Sequence, residues 1–79
     1  MNDKKLFGSN LRKLRQEKKL SEALLPARIG MSKQYYLRLE KGQFLPTVDT
    51  AFRLADALGV KVADLFADNV KQNERRKAI

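Results

Sequence analysis

With 79 residues the chain has room for one domain and a single small core. It contains neither cysteine nor histidine, which removes disulfides, thiol catalysis and thiolate metal sites, along with the commonest general base and the commonest nitrogen ligand. Seventeen Lys and Arg against nine Asp and Glu leave a formal net charge of +8, a balance that suits nucleic acid or an anionic membrane surface and equally suits plain solubility.

The N-terminus, MNDKKLFGSN, lacks a signal-peptide core, and no apolar run approaches membrane-spanning length, so a cytoplasmic location is expected. Seven positive charges fall between Lys4 and Lys19, and Lys33, Arg38 and Lys41 follow further on. Phe7, Leu11 and Leu14 recur at helical spacing with Arg12, Lys13, Arg15, Lys18 and Lys19 mostly off that stripe, which predicts an amphipathic first helix over roughly 4–19. Ser21 is a good N-cap for a second helix whose apolar positions include Leu25 and Ile29, and Gly30 ends it in the left-handed conformation. Pro26 lies inside this helix. Counted from a Ser21 cap it forfeits the hydrogen bond to the Glu22 carbonyl, and an interior proline costs about 3 kcal/mol relative to Ala. The expectation is a second helix that is bent, irregular or shortened at its start, with the helix pair intact.

Ser32 caps a third helix from Lys33 to about Lys41, with Tyr36 and Leu39 facing inward, and Gly42 stops it before a loop over 43–46. Thr47 caps a fourth, in which Val48, Ala51, Phe52, Ala55 and Leu58 are expected to line one face before Gly59. A short fifth helix, about Val62 to Ala67, contributes Leu65 and Phe66. The remainder, NVKQNERRKAI, is polar and charged, as a frayed helix end or a disordered tail would be. No strict alternation suggests a sheet. The expected fold class is all-α, a single compact domain of five short helices over 1–67 followed by a polar basic tail over 68–79.

The pattern resembles the Cro and phage-repressor (XRE-like) family of helix-turn-helix DNA-binding proteins. "LRKLRQEKKLS" looks like that family's first helix leading into the motif. Ser21, Leu25, Ile29, Gly30, Met31, Ser32, Tyr36 and Leu39 fall where the family places its cap, core and turn residues, and "LEKG" followed by Pro46 matches the end of its recognition helix. "LADALGVKVADLF" is similar to its fourth and fifth helices. The resemblance spans about Phe7 to Phe66 and implies a lambda-repressor-like fold and a transcriptional regulator, a repressor, that binds a two-fold symmetric operator as a homodimer. It also implies that Arg15 and Glu40 form an ion pair joining the first and third helices. Two departures stand out. Glu22 replaces the Gln often found at the start of the first motif helix, where a carboxylate repels phosphate. Pro26 replaces the usual Ala.

With Tyr36 and Leu39 inward, a rotation of about 100° per residue puts Gln34, Arg38 and Lys41 on the opposite face of the third helix, with Leu37 beside them and Lys33 and Tyr35 on the flanks. In a helix-turn-helix that face enters the major groove. Gln pairs bidentately with adenine and Arg with guanine, so Gln34 and Arg38 are the candidate base readers. Leu37 suits either a thymine methyl group or a protein interface. Ser32, Lys33, Lys41 and Gln43 are candidates for phosphate contacts, with Tyr35 suited to the sugar-phosphate edge or to partial burial. No cofactor or metal is expected. Catalysis has little to stand on, because the acids are scattered without a convergent pair. The competing interpretation is an antitoxin-like or other protein-interaction module, in which Leu37, Phe66 and the basic tail meet a protein partner and DNA binding is secondary.

Overall fold

A computed structural model of the protein describes residues 3–68, so the expected basic tail lies, but for Asp68, outside the described residues. Helices α1 (Asp3–Glu17), α2 (Leu24–Arg28), α3 (Lys33–Glu40), α4 (Val48–Leu58) and α5 (Val62–Leu65) make up the regular structure, and no strand occurs among the described residues. None of these helices is long and apolar enough to cross a membrane. The long α1 packs against both α3 and α5, α4 packs on α5, and α2 packs on α3. Phe7, Leu11, Leu25, Tyr36, Leu39, Leu54, Leu58 and Leu65 are buried in one shared core.

Two caps form as the sequence implies. The Ser32 hydroxyl accepts from the Tyr35 amide at 3.1 Å, and the Thr47 hydroxyl from the Thr50 amide at 3.1 Å. Helices α2, α3 and α4 close with the same turn, in which Gly30, Gly42 and Gly59 take positive φ. Helix α1 closes in this way too, but on Lys19 at φ 59°, with the Leu20 amide donating to the Arg15 carbonyl at 3.1 Å and the Lys19 amide to that of Gln16 at 3.0 Å. A lysine carries no such signal, which is why the helix stops at Glu17 instead of continuing to Lys19 as its charge pattern suggested.

Pro26 is accommodated by a late start. The Ser21 hydroxyl accepts from the Leu24 amide at 2.9 Å, and regular helix begins only at Leu24. The Leu25 amide donates to the Ser21 carbonyl and the Ala27 amide to that of Ala23, both at 3.3 Å, so Pro26 between them leaves the Glu22 carbonyl without its helical donor, and the regular ladder starts only beyond it. Its ring is fully buried. The helix is shortened at its start, and the motif it opens is intact.

The expected core face of α4 needs correction. Ala51, Leu54, Ala55 and Leu58 are the buried residues, whereas Val48 and Phe52 are 74% and 59% exposed. At about 100° per residue Phe52 lies almost opposite Leu54, so burying the Leu54 stripe turns Phe52 to the outside. Helix α5 is shorter than expected, and Phe66, just beyond it, is half-exposed while its ring rests against Phe7 with centroids 5.1 Å apart.

Candidate nucleic-acid interface

The surface of α3 is set by what holds its other side. Tyr36 and Leu39 are wholly buried, and the backbone of α3 comes unusually close to α1 at Gly8, where an added Cβ would lie 2.6 Å from both the Leu39 and Glu40 carbonyl oxygens. Only a glycine lets the helices meet there.

At the same end of α3 the Glu40 carboxylate points inward. Its side chain is 4% exposed and lies against Arg15, whose Nε donates to Oε2 at 2.6 Å while Nη2 donates to Oε1 at 3.4 Å. The Tyr36 hydroxyl donates to the same Oε2. Arg15 also donates from Nη1 to the Leu20 carbonyl at 2.9 Å and approaches the Glu22 carboxylate at 3.8 Å. One guanidinium thus ties together α1, the turn that follows it and α3. The hydrogen bond that Arg15 donates to Glu40 raises the Arg15 pKa above its ordinary value. Burial, followed by the hydrogen bond to Glu40, raises that of Tyr36. The departure at Glu22 is partly offset by Arg15, which draws this carboxylate into the network.

With Glu40 turned inward, the outer face of α3 carries no acid. Gln34 and Arg38 are exposed one helical turn apart, with Lys33, Lys41 and Gln43 exposed around them. Among the described residues no acidic side chain forms an ion pair with Lys33, Arg38 or Lys41. Ser32 is exposed at the N-terminus of α3, and a hydroxyl that accepts from the helix still has its own proton to donate. Leu37 is half-buried against the core rim. Tyr35 is also half-buried, its ring tilted against Phe44 with centroids 5.1 Å apart. The helix therefore presents an amide and a guanidinium suited to base edges, bordered by cations suited to phosphates.

A further polar side chain holds the scaffold under this face. Asn10 is buried in α1 and donates from Nδ2 to the Leu65 carbonyl at 3.1 Å and to the Ala67 carbonyl at 2.9 Å, satisfying carbonyls that the short α5 leaves free at its end. An Asn on the face of an amphipathic helix gives no hint in sequence of partners more than fifty residues away.

A family model described as helix-turn-helix matches residues 11–65. The chain belongs to the helix-turn-helix family, of the XRE type that the sequence resembles. It is 48% identical over 65 residues to an uncharacterized HTH-type transcriptional regulator, y4dJ, of Sinorhizobium fredii, covering 82% of this chain and 84% of that one. It is 38% identical over 64 residues to the cryptic phage CTXphi transcriptional repressor RstR of Vibrio cholerae, covering 81% of this chain and 58% of the repressor. Among solved structures, the restriction-modification controller protein C.AhdI of Aeromonas hydrophila superposes with a TM-score of 0.78 at 33% identity, over 84% of this chain and all of that one. The five-helix fold is that of the helix-turn-helix regulators.

Proposed function

We propose that this protein represses transcription by binding a two-fold symmetric operator as a homodimer in the cytoplasm, each protomer laying α3 in the major groove. It is a DNA-binding transcriptional regulator of the helix-turn-helix class. The observation that carries the operator proposal is the outer face of α3, where Gln34 and Arg38 stand exposed while the carboxylate of the same helix is turned into the protein. Gln34 and Arg38 read bases, with Leu37 offering its exposed edge to a thymine methyl group. Ser32, Lys33, Lys41 and Gln43 hold phosphates, and Tyr35 lies along the sugar-phosphate edge. The activity is binding, with no reaction catalysed.

The α4–α5 surface supports the homodimer. An open depression of about 530 Å³ beside the exposed Phe52 ring is lined by Ala55, Val60 and Val62. Knob and hollow on one face are what a two-fold axis brings together. Arg53, Asp56 and Lys61 also line it, and Asp49 lies 3.9 Å from Arg53, so the charges there balance in sign and two copies of a chain of charge +8 meet with little repulsion.

Selection of bound duplexes from a random pool tests the proposal. A symmetric consensus is expected, and Arg38→Ala and Gln34→Ala should each weaken the selected duplex by about 1–3 kcal/mol with less effect on random DNA. Lys33→Ala or Lys41→Ala should weaken all sequences evenly and flatten the salt dependence. If no duplex is preferred over random DNA at physiological salt, the base-reading role of α3 is wrong, and a protein partner becomes the leading interpretation.

A further inference from the structure

The pairing of Arg15 with Glu40 is lopsided. A guanidinium fork facing a carboxylate squarely makes two parallel bonds of similar length. Here Nε lies 2.6 Å from Oε2 while Nη2 lies 3.4 Å from Oε1. The Tyr36 hydroxyl, one turn earlier on α3, donates to Oε2 as well, so two donors converge on one oxygen and the carboxylate is swung towards Tyr36. Tyr36 is wholly buried, so its ring cannot follow a moving Glu40, and Arg15 is held from behind by the Leu20 carbonyl. Glu40 is the last residue of α3, and its own carbonyl and that of Leu39 rest on Gly8. The Glu40 carboxylate thus joins the inner side of α3, at Tyr36, to α1, at Arg15, right where the two backbones meet. Arg38 lies two residues before Glu40, and Gln34 two residues before Tyr36, on the opposite side of the same two turns.

Resting on the base-reading role of α3, we propose that the Tyr36 hydroxyl is a positioning group for DNA recognition: by holding Glu40 off a symmetric fork with Arg15, it sets the rotation of α3 and hence the aim of Gln34 and Arg38. Without the hydroxyl, the carboxylate slides into the even two-bond pairing with Arg15, and α3 turns with it. The ring, and with it most of the core packing, is retained in Tyr36→Phe, so the expected change is in discrimination more than in folding.

The test compares Tyr36→Phe with the native chain on two duplexes of equal length, one selected from a random pool by the native protein and one of scrambled sequence, well below both melting temperatures. Affinity for the selected duplex should fall about tenfold, while that for the scrambled duplex moves less than about twofold. Leu58→Val, which trims the α4 core away from this network, serves as the stability control. It should lower the melting temperature yet leave the ratio of the two affinities unchanged. An unchanged ratio in Tyr36→Phe overturns the positioning role and leaves the hydroxyl a structural donor only. An equal fall in the ratio for Leu58→Val overturns it as well, since loss of stability alone would then explain the effect. If Tyr36→Phe does not fold, Glu40→Gln, which keeps the length of the side chain but turns one acceptor oxygen into a donor NH2 and removes the charge that draws in Arg15 and Tyr36, must show the same loss of ratio, and its failure to do so overturns the proposal. Should the native chain select no duplex, the base-reading role itself fails and the positioning role falls with it.

Discussion

Single residues decide how closely α1 and α3 approach and what lies between them. Replacing Gly8 by Ala would ordinarily favour a helix by about 1 kcal/mol. Here the new methyl group meets two backbone carbonyl oxygens at 2.6 Å, and backbone cannot swing aside as a side chain can. Gly8→Ala is expected to destabilise the domain by about 1–3 kcal/mol, as overpacking does, read from chemical denaturation. A second expectation concerns alkaline pH. The Tyr36 hydroxyl has its pKa raised in the folded chain from an ordinary value of 10.0. Its contribution is complete below that value and is lost above it, where the unfolded chain ionises this phenol and the folded chain keeps it protonated. Between pH 10 and 11 the stability advantage of the native chain over Tyr36→Phe should shrink by up to about 1.4 kcal/mol per pH unit, measured by urea unfolding of both. Of these contacts the sequence shows little. Gly8 and Asn10 act on partners far along the chain, and the Arg15–Glu40 pair is legible only through family likeness, since no helical spacing joins residues 25 apart. Gln34 and Arg38, by contrast, follow from periodicity once Tyr36 and Leu39 are set inward, because side chains opposite a buried stripe have nowhere to go but out.

At the scale of elements, what was legible is what is encoded locally. Ser32 and Thr47 announce helix starts, and Gly30, Gly42 and Gly59 announce helix ends, because cap and left-handed turn are properties of a few adjacent residues. The end of α1 on Lys19 is hidden for the same reason, as the usual residue is absent. The face that α4 buries was hidden too. Val48, Ala51, Phe52, Leu54, Ala55 and Leu58 spread over an arc of about 160°, with Phe52 at one edge and Leu54 at the other, and only packing on α5 and the core selects the Leu54 edge. Pro26 acts in two opposed directions. It forfeits the bond to the Glu22 carbonyl that its neighbours on either side make to Ser21 and Ala23, yet its ring is buried. Pro26→Ala is therefore expected to change stability by less than about 1 kcal/mol, the regained hydrogen bond offsetting two lost buried methylenes and a freer unfolded chain, with thermal melting as the measurement.

For the whole molecule, α1 is the common member. It carries α3 through Gly8 and Arg15 and grips the end of α5 through Asn10, so the proposed DNA surface and the proposed dimer surface sit on one rod of fifteen residues. No flexible linker stands between them. A rod has a phase. If two protomers meet through α4 and α5, their recognition helices are fixed in both separation and rotation, and the DNA between the half-sites becomes a ruler the protein cannot stretch. Moving the half-sites of the selected operator apart by five base pairs turns one of them about half a helical turn away. Binding should then fall to that of an isolated half-site, and an insertion of ten should not restore it, because rotation is recovered but length is not. Gel-shift titration of the three spacings checks this. A protein joined by loose connections would tolerate both, so the grip of a single buried asparagine on the end of α5 becomes, on DNA, an intolerance of any spacing but one.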